Sequence, residues 1–404
     1  MRSLLVFVLF GSMLAITAAE SDALAISTAI HARFVPYGTI LSPVYASGTS
    51  NQIIGYSRCG DSAIWTGHHL AAEALRFAST KSPNALVNVR RALAGIQILF
   101  DVTGTNTLAR CAFPTDSPFG DGMASEEINN GVHRGNIDGK AWTWIGNTSR
   151  DQYVGVFFGL TVVWNVVEDA AIQNQVRALV TRAMDRLLAR NWSIVLPDKI
   201  STTFLLRPDQ QLMLAKLARR VDPDKYNGLY ADLSKGAIAM VIPITIDVQD
   251  EHSSYFKFNL AYDTFYGLLA QGYAGSDVVI LARGLYDRVR RTTENHGNAH
   301  FNMIDNAIRG QEDARDAQTR VLLATWLKRP KLDDFVDLRS KYSSCGAADK
   351  SCQVLPVDER VRTDFLWQRS PFLLYGGGTG TIEGPGIDYT LPYWMGRFFK
   401  VIAE

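Results

Sequence analysis

Long apolar runs are what this chain lacks beyond its first twenty residues. No later stretch approaches the ~20 uninterrupted apolar residues that a membrane-spanning helix needs, so no stable transmembrane anchor is expected. A dominant charge sign is also missing: 41 Lys+Arg stand against 40 Asp+Glu. Without a basic stripe to displace counterions, nucleic acid is excluded as a partner. Cysteine is scarce, four residues in 404, and no C-x-x-C pair exists to hold zinc. G-x-S-x-G and H-E-x-x-H are absent, which weighs against serine-hydrolase and zincin chemistry. No cofactor and no metal are expected.

What is present begins with MRSLLVFVLFGSMLAITAAE, where Arg2, an apolar run from Leu4 to Ile16 and the small residues Thr17, Ala18 and Ala19 follow the three-part pattern of a secretory signal. Residues 1–19 are expected to be a cleaved leader, with a second site near Ala23-Leu24-Ala25, and the mature chain to be secreted or periplasmic. Residues 20–404 then form one domain. In an oxidising compartment the four cysteines allow three pairings; Cys59 with Cys111 and Cys345 with Cys352 are expected. Asn147-Thr148-Ser149 and Asn191-Trp192-Ser193 are glycosylation sequons, relevant only in a eukaryotic source.

Apolar residues recur at helical spacing over 62–79, 84–100, 152–168, 172–191, 209–220, 225–241, 253–271, 276–292, 297–309, 315–328, 364–375 and 388–402. Strand-like alternation is scarce outside 192–206 and VIPITIDV. The linkers STKSPN, EDAA, VDPDK, QGYAGS and GQEDAR are short, while 101–150 and 329–363 are long. Short links join antiparallel neighbours, so the pattern reads as six helical hairpins. Odd-numbered stretches such as QYVGVFFGLTVVW are apolar all round, and even-numbered ones such as NQVRALVTRAMDRLLAR are charged on one side. The odd set is expected to form an inner ring and the even set an outer one, an all-α (α/α)6 toroid. DYTLPYWMGRFF fits the outer set poorly, because its charge is low and Pro392 falls early in it.

In such a ring the inner-helix N-termini open on one face. The heads read CGDSAIW, SRDQY, RPDQQ, DEHSSYF, ENHGNAHF and TDFLWQR, which brings together Asp61, Asp151, Asp209, His252, His296 and Asp364. Asp suits a helix start by capping and by charge. Capping does not call for Arg150, Arg207 or the aromatics Trp65, Tyr153, Tyr255 and Trp367 beside those carboxylates. Trp142 and Trp144 come from the long loop that emerges on the same face, and Cys111 lies in that loop, at the end that holds Cys59. Carboxylates for proton transfer and flat rings for apolar sugar faces suit a saccharide cleft. The glycine-rich YGGGTGTIEGPG (375–386) lacks a P-loop lysine, and the hairpin order puts it on the opposite face as a flexible turn.

This arrangement resembles the six-hairpin glycosidase group of (α/α)6 toroid carbohydrate enzymes. The resemblance implies a cleft at one end of the inner ring, with a carboxylate acid and base that would come from Asp61, Asp151, Asp209 and Asp364. A second resemblance attaches to Asn295-His296-Gly297, which is similar to the Asn-His-Gly motif of alginate-lyase-type polysaccharide lyases. It implies Asn295 as neutraliser of a uronate and His296 as base, with His300 and Phe301 standing where a tyrosine would follow. His296 and His300 are four apart, but no third metal ligand is evident beside them. Hydrolysis of a polysaccharide or oligosaccharide is the first expectation, elimination on a uronate glycan the second, and a non-catalytic glycan-binding or cell-envelope protein the third.

Overall fold

The computed structural model describes residues 19–403 apart from Glu251, Ser253, 271–276 and Asp364. Residues 1–18 of the expected leader and the candidate Asp364 lie outside the described residues. Fourteen helices run in the order α1 (Glu20–Ala29), α2 (Ser62–Thr80), α3 (Pro83–Asp101), α4 (Gly120–Glu126), α5 (Arg150–Val166), α6 (Ala170–Ala189), α7 (Pro208–Val221), α8 (Pro223–Lys235), α9 (Val241–Asp247), α10 (Phe256–Leu269), α11 (Asp277–Thr293), α12 (Ala299–Arg309), α13 (Asp313–Trp326) and α14 (Ile387–Phe398).

Packing closes six of them into a ring, α2, α5, α7, α10, α12, α14 and back to α2. Outside it, α3 covers α2, α6 bridges α5 and α7, α8 covers α7, α11 covers α10, α13 covers α12 and α1 covers α14. The chain is therefore an all-α (α/α)6 toroid. Its middle is filled, since α10 also touches α5 across the ring. The inner α5 is buried without interruption from Gln152 to Val163, the all-round burial that its sequence implies. The tightest seam joins α2 and α5. A Cβ on Gly67 would sit 2.1 Å from the Gly155 carbonyl oxygen, and one on Gly159 would sit 2.3 Å from that of Gly67. Only glycine permits the two backbones to meet there.

Three sequence expectations are corrected. Residues 365–375 form turns rather than an inner helix; Pro371 removes a backbone donor and biases Ser370 toward extended backbone. The sixth inner helix is α14, and its outer partner is α1, at the other end of the chain. VIPITIDV is not a strand but contains α9 (Val241–Asp247), where Pro243 falls in the first turn, whose N–H groups have no helical partner. The long loop 101–150 carries a sheet of β1 (Cys111–Pro114), β2 (Val132–Ile137) and β3 (Lys140–Ile145), with β3 between the other two. No single helix among the described residues is long and apolar enough to cross a membrane; one bent pair, Pro223–Lys235 with Ala237–Asp247, reaches that length and apolar character only when taken together.

The disulfide Cys59–Cys111 is formed, with Cα atoms 5.4 Å apart, and ties the head of α2 to β1. The expected Cys345–Cys352 bridge is not: both thiols are free and exposed. The Cys352 thiol donates to the Ser344 carbonyl at 3.3 Å, and the neighbouring Cys345 thiol pushes its pKa up, so the two sulfurs are close but unjoined.

The Asn295-His296-Gly297 turn anchors the long segment that replaces the eleventh helix. Buried Arg360 donates to the carbonyls of Leu355, Gly297 and His296 at 2.9, 3.0 and 2.8 Å. Gly297 has φ +58°, where a Cβ would strain the backbone and press on Arg360 Nη2 at 3.2 Å. Asn298 caps α12, accepting from the N–H groups of His300 and Phe301. Replacing Arg360 by Met strands three carbonyls, and we expect a loss of about 2–4 kcal/mol in urea unfolding. An unchanged midpoint would show that the clamp contributes nothing.

The π-helical turn Ile30–Phe34, which follows α1, packs on α2. His31 and His69 face each other with Nε2 atoms 3.3 Å apart. Burial, with the neighbouring charges, pushes His31 down to about 4 and His69 to about 3. The unfolded chain therefore takes up protons first as pH falls below the ordinary histidine value near 6.5. Stability is fully present above that value and declines toward pH 4 and below. For the fully buried His69 the effect is on the order of a few kcal/mol. His69→Gln should flatten the fall in melting temperature between neutral and acidic buffer; an unaltered slope would remove His69 as its cause.

Candidate functional site

Among the described carboxylates that the sequence places at helix heads, Asp61 is the one that faces a cavity. It stands at the N-cap of α2 but makes no cap hydrogen bond. Its oxygens accept instead from Gln152 Nε2 and Gln368 Nε2, both at 3.3 Å, and lie 3.6 Å from Arg110 Nη1. Arg110 is itself fixed by the carbonyls of Gly60 and Asn147 and by Ser149. The Asp61 side chain keeps 35% of its surface in solvent, so it is oriented yet reachable.

Asp61 opens on a cavity of about 270 Å³ at the heads of α2 and α14. Trp65 and Phe365 form an aromatic wall, with ring centroids 4.7 Å apart. Asp388, at the head of α14, is the second acid facing it, and its Oδ2 accepts the Leu366 N–H at 3.0 Å. Glu127 also lines the space but is engaged with the Gly60 N–H and Asn130. Arg58, Arg110, Arg329 and Arg362 bring positive charge to the same walls. Burial pushes the Arg329 guanidinium down to about 9. Its Nε and Nη1 have no hydrogen-bond partner, and Asp388 Oδ2 is 4.0 Å from Nη1.

Residues 382–386 supply the rim, which corrects the placement of the glycine-rich segment on the opposite face. That placement followed from treating α14 as an outer helix. The segment is also held: Asp333 Oδ1 accepts from the N–H groups of Thr381 and Ile382, and Gly386 is the N-cap of α14.

The other sequence candidates lie elsewhere. Asp209 is fully buried and gripped by Arg207 at 3.0 and 2.7 Å, and Arg207 also reaches Asp247 at 3.1 Å. Although burial opposes its charge, those two acids hold the Arg207 pKa above its ordinary value. Asp151 is half-buried at the head of α5, and the neighbouring Arg150 donates to the Thr203 carbonyl at 2.9 Å. Tyr153 is buried, with its hydroxyl accepting the Leu108 N–H at 3.1 Å. Trp144 stacks on His133 at 4.2 Å, and Trp142 packs half-buried on the core. None of these lines the cavity.

The lyase pair is separated. Asn295 is exposed and borders a crevice between α11, α12 and α13, whereas His296 is buried against Tyr255 and Phe372. Tyr255 is buried as well, and His252 packs on Phe372 at 4.1 Å. His300 and Trp367 are fully buried beneath the cavity, where Trp367 stacks on His68 at 5.2 Å.

Asp388 was missed because the head of α14 was assigned to the outer layer. The low charge of DYTLPYWMGRFF was the signal for the inner ring. Gln152 and Gln368 carried no sequence signal, since only the ring brings them to Asp61.

No family model matches the chain, and no curated protein matches it. Among solved structures, a cellobiose 2-epimerase from Spirochaeta thermophila DSM 6192 is similar over 94% of this chain and 96% of that one, at 9% identity and a TM-score of 0.41. At that similarity no residue role is carried across.

Proposed function

We propose that this chain is an exported carbohydrate-active enzyme whose site is the cavity over Trp65, and that it hydrolyses glycosidic bonds with Asp61 and Asp388 as its carboxylate pair. The observation that carries the reading is that these two acids, from adjacent inner helices, face one cavity with an aromatic wall. The cavity lies at the small end of ligand pockets, which start at roughly 300 Å³, so it suits a short saccharide or the end of a chain. Trp65 and Phe365 offer a flat face to a sugar ring, while Gln368 and the guanidinium groups offer hydroxyl contacts. Asp61, open to solvent, takes the proton of the attacking water; Asp388 gives a proton to the leaving oxygen as the glycosidic bond breaks.

One observation favours a second reading, β-elimination on an acidic glycan. Arg329 brings two unpartnered donors to the cavity, which a uronate carboxylate would satisfy. That chemistry would take place beside Arg329, since Asn295 and His296 do not share a site.

The test incubates purified protein with panels of neutral and acidic glycans, following reducing ends together with the ultraviolet absorbance of unsaturated uronides. New reducing ends without absorbance are expected. Asp61→Asn and Asp388→Asn should each lower the rate by about 10²–10⁴-fold, whereas Asp151→Asn retains activity. Full activity in both cavity variants would overturn the assignment. Rising absorbance on acidic glycans would replace hydrolysis by elimination, and glycan binding without turnover would leave a binding protein.

A further inference from the structure

Below the aromatic wall, three inner helices send polar side chains to the middle of the ring. His68 comes from α2, Asp263 from α10 and His300 from α12, and all three are buried. His68 Nε2 lies 3.1 Å from Asp263 Oδ2, and His300 Nε2 lies 3.4 Å from Asp263 Oδ1. One ligand atom from each residue falls within 4.8 Å of the other two.

Hydrogen bonds alone do not satisfy this cluster. His68 Nδ1 is 2.9 Å from the Ile64 carbonyl oxygen, which only accepts, so Nδ1 carries the proton. Nε2 of the neutral ring then turns a lone pair toward a carboxylate oxygen. A positive species between them resolves the conflict. A proton on His68 would do so for that pair, but it leaves His300 Nε2 with only a long contact of 3.4 Å to Asp263 Oδ1. It also leaves the buried Asn259 Oδ1 without a partner.

A metal ion meets these demands together, while His300 Nδ1 stays without a partner. Ligands about 2.0–2.2 Å from a tetrahedral centre stand about 3.3–3.6 Å apart; His68 Nε2 is 3.1 Å from Asp263 Oδ2, and one donor atom from each of the three residues lies within 4.8 Å of the other two. Asn259, one turn before Asp263, places an amide atom 3.1 Å from Asp263 Oδ2 and 3.4 Å from His68 Nε2. Exchanging its amide oxygen and nitrogen by rotation turns a fourth donor inward. The His68 Nδ1–H bond to a backbone carbonyl is the outer support that a metal-bound histidine usually has. Burial pushes the His300 imidazole down, which keeps it neutral for ligation.

We infer that His68, Asp263 and His300, with the Asn259 side-chain oxygen, bind one divalent transition-metal ion of the Zn²⁺ class. Two imidazoles and two oxygens suit that class. Trp367 covers the cluster, 4.7 Å from the His300 ring, so the ion has no open position. It is a structural centre that pins α2, α10 and α12 together. The inference is independent of the saccharide reading. A second cluster, His31, His69 and Glu73, fits less well because Ser27, Arg76 and Asn88 already engage the Glu73 oxygens.

The full chain, made without a histidine tag in metal-defined medium supplemented with Co²⁺ or Zn²⁺ alone, is analysed for bound metal, visible absorption and melting temperature. We expect about one ion per chain, the intense visible bands of four-coordinate Co²⁺, and a higher melting temperature than for metal-free protein. His300→Gln should weaken binding at least ~10-fold, and His69→Gln should leave it unchanged. A folded wild-type chain without bound metal or Co²⁺ bands overturns the inference, and that result needs no variant to fold. Binding lost in His69→Gln but kept in His300→Gln overturns it as well, by moving the ion to the other cluster.

Discussion

The contact on which the rest depends is the meeting of α2 and α5 backbone to backbone. Gly67, Gly155 and Gly159 remove the side chains that would hold these helices apart. Helix axes usually stand about 8–10 Å apart, set by the side chains at the contact, and glycine on both sides allows closer approach. Two consequences reach the candidate site. Gln152 of α5 comes close enough to accept the Ile64 N–H at 3.1 Å and to donate to Asp61 at 3.3 Å. His68, next to Gly67, is carried to the middle of the ring, where Phe158 of α5 packs on it at 5.3 Å. A bulkier residue in this seam would displace both sites at once.

The ring was legible because its signals are local. All-round apolar stretches, short links and polar heads identify five of the six inner helices and place Cys59 beside Cys111. The sixth was misread where two local signals conflict with the tertiary arrangement. TDFLWQR has the polar head and apolar body of an inner helix, yet Pro371 interrupts it and Trp367 is drawn into the ring as a cover. DYTLPYWMGRFF contains a proline in its interior, but burial on every side from Ile387 to Gly396 sustains it as a helix. Pro392 lacks the N–H that would bond the Asp388 carbonyl, so the break in the ladder falls at the head, beside the cavity. That the outer partner of this helix comes from the other end of the chain is a closure no local window contains.

At the level of the candidate site, the sequence named the right kind of residue in more places than the structure uses. Asp61, Asp151 and Asp209, which the sequence named, and Asp388, which it did not, all stand at inner-helix heads, and a helix start attracts acids whatever else it does. What distinguishes them is what each carboxylate is bound to. Asp209 is committed to Arg207, whereas Asp61 leaves its cap unmade and reaches across to α5 and to the turn at Gln368. Partners hundreds of positions away decide that difference. Asn295-His296-Gly297 is the converse case, a motif-like cluster whose backbone carbonyls, cap and left-handed glycine hold a loop in place through Arg360.

The same reasoning separates the two histidine clusters. His31 and His69 share a seam near the surface, and Glu73 beside them is already matched by an arginine and an asparagine. His68 and His300 instead flank an aspartate with no arginine or lysine bonded to it at a fully buried position. An uncompensated carboxylate there is costly. Burial works to raise the Asp263 pKa, yet His68 and His300 outweigh it and hold the group below its ordinary value. Because three different inner helices supply the donors, a cation at this point also selects the closed ring over any arrangement in which α10 or α12 drifts from α2. The covering Trp367 then forms the boundary between a centre that stabilises the ring and the cavity above it that meets solvent.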